Sequence, residues 1–230
     1  MYLGRNTLDN FEGPIQYSSL TNNGNSVVTK TGTGRATLGG ANDYGGATNV
    51  NAGTLIAGSN TALGSTGSGT TVTSGATLAL TGNITIGAEA LTLSGTGVGL
   101  VGALSNTAGA NTYGGAITLA AASTIGSTAG TLTLSNTVNN NAFGLTLDGV
   151  GNITAGGVIS GTGALTKTGT GTATLNGANS YSGATNVNAG ILIAGNNTAL
   201  GGTTNGTTVA SGAMLALPGA ITIGAEALTL

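Results

Sequence analysis

Residues 29–93 return at 166–230 with about four positions in five identical, every aligned residue 137 positions later and no gap. A near-verbatim repeat inside one chain implies structural units that cannot bury their apolar faces alone and stack on their neighbours. Within the units, segments such as Thr77-Leu78-Ala79-Leu80, Ile84-Thr85-Ile86, Leu91-Thr92-Leu93, Thr131-Leu132-Thr133-Leu134 and Ile221-Thr222-Ile223 alternate apolar and polar residues. Period-two alternation over three to five residues, bounded by Gly, Asn or Ser, reads as short strands joined by tight corners. No stretch of ten residues shows helical spacing. The pattern predicts an all-β parallel β-solenoid, in which the chain coils and each turn pairs with the next. Roughly ten rungs at about 4.8 Å each make a rod near 50 Å long.

The organisation follows from the repeat. One solenoid array spans 1–230, with a diverged repeat at 1–28, copy 1 at 29–93, a degenerate segment at 94–165 and copy 2 at 166–230. The alternation predicts that Leu38, Val50, Leu55, Leu78, Leu80, Ile84, Ile86, Leu91 and Leu93 point inward. Their copy-2 equivalents Leu175, Val187, Leu192, Leu215, Leu217, Ile221, Ile223, Leu228 and Leu230 are expected to do the same. Tyr44, Tyr113 and Tyr181 sit in three versions of one motif, 69 and 68 residues apart. If a turn takes roughly 20 to 25 residues, that spacing is three turns and stacks the tyrosines at one corner. Asn42, Asn111, Asn179, Asn51 and Asn188 fall in corner contexts, where side-chain amides can bond along the axis.

Composition narrows the function classes. Only 4% of residues are charged, with a net charge of −2 and no basic stripe, so nucleic acid is not an expected partner. Abundant Gly is compatible with disorder, but 39% hydrophobic content with only 2 Pro favours a packed chain. No apolar run reaches the roughly 18 residues of a membrane-spanning helix, so membrane insertion by this segment is not expected. Zero cysteines fits a chain that crosses an oxidising compartment unfolded. Met1 to Leu20 show no charged region followed by an apolar one, so no secretory signal is read there. No capping segment is evident at either end, and a fragment of a longer array is expected.

The string Leu165-Thr166-Lys167-Thr168-Gly169-Thr170-Gly171, then Ala173-Thr174-Leu175, Gly177-Ala178-Asn179-Ser180-Tyr181-Ser182-Gly183-Ala184-Thr185 and Val187-Asn188-Ala189-Gly190, recurs in copy 1 from Lys30 to Gly53. A weaker version runs from Asn111 to Leu134. These segments closely resemble the autotransporter-associated β-strand repeat, also called the passenger-associated transport repeat. The resemblance implies a right-handed parallel β-helix in the secreted passenger of a large Gram-negative surface protein. It also implies an association with passenger export, beside adhesive or other effector regions. The family's usual N-terminal signal and C-terminal outer-membrane β-barrel are not seen in this sequence.

Catalytic and metal-binding chemistry finds little purchase. Sugar cleavage needs carboxylates roughly 5 to 9.5 Å apart. The repeat equivalents Glu89 and Glu226 should lie about six rungs, on the order of 29 Å, from each other. Asp9 and Glu12 read as a solvated surface pair. Lys30-Thr31-Gly32 and Lys167-Thr168-Gly169 match one box of penicillin-recognising serine enzymes, but the accompanying Ser-x-x-Lys is missing. Lys30, Arg35 and Lys167 read as solvated charges. There is no His or Cys, no calcium-binding nonapeptide and no phosphate-binding glycine loop. No catalytic residue, metal site or cofactor is expected.

The leading expectation is a non-catalytic stalk or scaffold segment at the surface of a Gram-negative bacterium, its partners being neighbouring repeats of the same longer chain. The alternative is direct adhesion to glycan or host matrix through exposed Thr and Asn, with Tyr44, Tyr113 and Tyr181 as the platform. A flat Thr-x-Thr face for ice is disfavoured, because those triplets do not recur at one constant interval.

Overall fold

A computed structural model describes the backbone of residues 6–8 and 15–17 and all atoms of residues 26–230. The diverged repeat expected at 1–28, and the Asp9 and Glu12 pair, fall almost entirely outside the described residues. Every strand pairing is parallel, and each joins one coil to the next. The result is the expected β-solenoid, of about ten turns.

The coil has three sides. Strands Val28–Lys30, Thr48–Val50, Thr70–Val72 and Leu91–Gly95 stack on the first side. Arg35–Leu38, Gly53–Ala57, Ala76–Thr81 and Leu104–Ala108 stack on the second. Thr85–Ile86, Ala110–Tyr113, Thr131–Leu134 and Asn152–Ala155 stack on the third. The 11-residue strand Ile117–Ser127 bends from the first side to the second, pairing with both. Burial alternates along many of the strands, as in Thr131–Leu134 and Leu145–Asp148, with the aliphatics inward, whereas Ala76–Thr81 is buried on both faces and Thr48 and Thr70 take inward places.

Six ladder steps lead up the first side from Val28 to Ile159 through Thr48, Thr70, Leu91, Ile117 and Val138. The intervals are 20 to 22 residues apart from the 26 between Leu91 and Ile117, where an added segment makes a helical turn at Val98–Leu100. Leu165, the equivalent of Val28, then begins the next strand, on the second side. The repeat period is therefore six turns plus one side. Copy 2 is the copy-1 pattern rotated by one side of the triangle, and a given sequence element stands on whichever side it reaches.

The nine copy-1 positions expected to point inward are all buried, as are Leu175, Val187 and Leu192. Leu217, Leu228 and Leu230 are corrected: they are 45%, 55% and 91% exposed. They belong to the last coil, which has no coil stacked over it, so the same alternation that buries Leu80, Leu91 and Leu93 leaves them uncovered.

Tight approach between coils fixes one residue of the Tyr motif. A Cβ on Gly115 would stand 1.6 Å from the Glu89 carbonyl oxygen, and one on Gly183 would stand 2.3 Å from that of Gly163. Hydrogen alone fits there.

Candidate functional site

All three tyrosines depart from the expected exposure, and Tyr181 departs from the expected stacking. Tyr44 and Tyr113 lie on the third side, whereas Tyr181 lies on the first, its N–H donating to the Ile159 carbonyl. Tyr44 and Tyr113 thus keep the expected three-turn spacing on one side, and Tyr181 leaves it, because the repeat period is not a whole number of turns. All three are buried, at 1%, 0% and 0% exposure. The exposed tyrosine platform is thus corrected: the rings fill the column at the coil's corners and offer nothing to solvent.

Inside the column the tyrosines begin short polar ladders. Tyr44 Oη and Thr48 Oγ1 are 2.7 Å apart, Thr48 stacks on Thr70, and Thr70 Oγ1 donates to Glu89 Oε1 at 2.8 Å. Copy 2 repeats this with Tyr181 and Thr185 at 2.6 Å, Thr185 stacked on Thr207, and Thr207 bonded to Glu226. The threonine four residues after each tyrosine supplies the partner that a buried phenol needs. In the degenerate segment that place is taken by Ile117, and Tyr113 Oη makes no hydrogen bond among the described residues. Tyr181→Phe is accordingly expected to destabilise the fold by about 1 kcal/mol, and Tyr113→Phe to be neutral or slightly stabilising. Urea midpoints of the two variants check this.

Glu89 is the only buried carboxylate among the described residues, and its Oε2 is unpaired. Burial pushes its pKa up, partly opposed by the Thr70 bond. Burial, and then the charge of Glu89, push the Tyr113 hydroxyl far above the usual phenol range. A carboxyl that holds its proton more tightly folded than unfolded lends full stability below its unfolded pKa and loses it as pH rises through the folded one. Glu89→Gln keeps an acceptor for Thr70 and removes the ionisation. The variant is expected to be more stable than the parent at about pH 8, with the difference gone near pH 4. Urea unfolding at the two pH values reads it out.

Asparagine supplies the axial bonds expected of it at the buried corners. Asn179 accepts from the Ile159 N–H of the coil below at 2.7 Å and donates to the Ala199 carbonyl of the coil above at 2.6 Å. Asn42 donates to Ala62 O at 2.7 Å, and Asn111 accepts from the Ile84 N–H at 2.7 Å. Asn51 and Asn188 lie exposed at another corner.

Lys30 and Lys167 are corrected from solvated charges to interior groups, 3% and 2% exposed. Each takes an inward place in its strand, Lys167 between Leu147 below and Val187 above. Each ammonium turns back to donate to corner carbonyls, those of Gly32 and Ala52 for Lys30, and of Thr168, Gly169 and Ala189 for Lys167. Burial lowers both pKa values, with Asp148 partly opposing this at Lys167. Arg35 remains exposed.

The outer surface is more regular than the sequence intervals suggest. Thr85, Thr112, Thr133, Thr154 and Thr174 form one outward column on the third side, ending at Ile193. Thr131, Asn152 and Thr172 stand beside it before Ile191. The reason given against a flat Thr-x-Thr face is therefore corrected, since corners absorb the differences in coil length. The two-column patch nonetheless spans only three rungs before aliphatics replace it.

Among the described residues no three His, Cys, Asp or Glu side chains converge, and no helix is long and apolar enough to cross a membrane. The sequence reading missed the interior polar residues Thr48, Thr70, Glu89 and Asn106. Asn106 is fully buried, bonding Ser127 Oγ at 3.1 Å and Asn111. A signal for the threonines was present, the Tyr-x-x-x-Thr spacing shared by both copies.

Coils of about 21 residues, Gly at the close approaches and Asn along the axis define a repeat-built β-solenoid. The passenger-associated transport repeat model matches residues 28–57 and 165–194, so these two segments are similar to that repeat. Each match spans two strands, the Tyr corner and two further strands. No curated protein and no solved structure gives a match.

Proposed function

We propose that the chain is a non-catalytic stalk or scaffold segment of an exported bacterial surface protein, an autotransporter passenger or adhesin that it helps to export and display. The observation that supports this is the pair of transport-repeat matches embedded in one uninterrupted column of stacked coils. The mechanism is mechanical and kinetic. Each coil that forms offers a paired edge and an apolar surface to the next, so folding propagates along the axis as the chain emerges from a pore. Its place would be outside the outer membrane.

The test sets the segment, with an epitope tag, between a secretion signal and an outer-membrane β-barrel. Efficient surface exposure of the parent, and loss of it when Leu80→Asp breaks the column, are expected. Equal exposure of the two would remove the link between stacking and export.

The second reading is direct adhesion, and the outward Thr and Asn columns favour it. With the tyrosines interior, binding would fall on Thr112, Thr133, Thr154 and Thr174. Glycan-array binding lost on replacing these by Lys would favour adhesion over a passive stalk.

A further inference from the structure

The two buried lysines are built into one recurring cradle. Lys30 stacks under Val50 on the first side of the rod and Lys167 under Val187 on the second, so the same arrangement stands on two different faces. Each ammonium is held by carbonyls of two successive turns. Lys30 donates to Gly32 of its own corner and to Ala52, one turn on, at 3.2 Å. Lys167 donates to Thr168 and Gly169 of its own corner and to Ala189, one turn on, at 3.3 Å. Gly53 and Gly190 follow the two alanines with φ of 64° and 67°. There the upper corner nests on the lower one: a Cβ on Gly190 would stand 2.5 Å from both the Gly169 and the Gly171 oxygens, and one on Gly53 would meet those of Gly32 and Gly34.

The aliphatic column does not by itself fix how one turn sits on the next. A slip of one residue turns every inward side chain outward, but a slip of two returns aliphatics to inward places. Moved in this way, Leu165 would lie against Val187 in place of Thr185. The cradle does not survive the same slip, which carries the Ala189 carbonyl about 6.6 Å along the strand from its place over Lys167. A buried cation would then lose part of its hydrogen bonding, at a cost that an aliphatic does not meet. We infer that Lys30 and Lys167 are register-determining residues, which hold the turn above them in one alignment and contribute little to net stability. A lone polar side chain in an apolar seam sets register in this way in coiled coils. Since each turn is the template for the next, an error at one junction passes along the rod. The role rests on the geometry of the column and not on the stalk reading.

Disulfide trapping in the 230-residue protein, which has no native cysteine, tests it. Thr166 and Asn186 are ladder partners, about 4.8 Å apart, whereas Thr166 and Asn188 are about 8 Å apart until the strand slips by two. Disulfides span Cα separations of roughly 4.4–6.8 Å. In the parent background, Thr166→Cys is expected to oxidise with Asn186→Cys and at least tenfold less with Asn188→Cys. Lys167→Leu, which continues the aliphatic column, is expected to keep the urea midpoint at or above the parent's. It should also raise the 166–188 yield at least tenfold relative to 166–186. Lys30→Leu provides the second site, read by Thr29→Cys with Asn49→Cys or Asn51→Cys. Unchanged ratios at both sites overturn the proposal. Both yields rising alike would show a coil that is merely looser, and loss of the fold in both leucine variants would make the lysines plain stability determinants; either result overturns it too. None of these results bears on the export test above.

Discussion

Leu80→Asp is expected to destroy the cooperative fold, while the same change at the repeat-equivalent Leu217 is expected to cost less than about 1 kcal/mol. Leu80 is fully buried, with Ala57 below it and Asn106 above it. Losing a buried leucine costs about 2–5 kcal/mol, and placing an unpaired carboxylate in its stead adds several more. The total is comparable with the whole stability of many domains. Leu217 stands in the same Leu-Ala-Leu triplet, followed by Pro218 where copy 1 has Thr81, but is 45% exposed, and there a carboxylate stays hydrated. Circular dichroism and urea titration of the two variants make the comparison. Equal damage at both sites would mean that neighbouring coils do not set burial.

Gly115→Ala and Gly183→Ala are expected to cost about 3 kcal/mol or more, which is large for one added methyl. At both positions the methyl would meet main-chain carbonyl atoms of the coil below, which cannot swing aside as a side chain can. Relief requires parting two coils and breaking ladder bonds on either side. Gly144 is the control, with nothing within 4 Å of the added Cβ, and its change to Ala should fall within about 0.5 kcal/mol. Denaturation midpoints of the three variants test this account of why glycine recurs beside the Tyr corner.

The strands, their parallel stacking and most of the column were legible because alternation is a local signal. Leu78 and Leu80 declare themselves inward by their threonine and alanine neighbours. The tyrosines did not, since a single aromatic among Gly, Asn and Ser has no period. Their burial depends on Thr48 and Thr185, which look like surface threonines until the coil closes. Lys167 was misread although Leu165-Thr166-Lys167 sets it in phase with Leu165. Charge suggested solvent, while position and the carbonyls of Thr168, Gly169 and Ala189 decided otherwise. The rotation of copy 2 was hidden because coil lengths vary at corners, so counting residues does not count sides.

The column itself is most directly tested by spin-label distances along the outward row of the first side. Thr29, Asn49, Thr71, Thr92, Thr118, Asn139 and Ser160 are successive ladder partners. With no native cysteine, Thr29→Cys can be paired in turn with cysteine at Thr92, Thr118, Asn139 and Ser160. Distances of about 14, 19, 24 and 29 Å are expected, one rung of about 4.8 Å per step. Distances that fail to rise by one rung at each step, or that bring Ser160 closer to Thr29 than Thr92, would contradict the stacked solenoid.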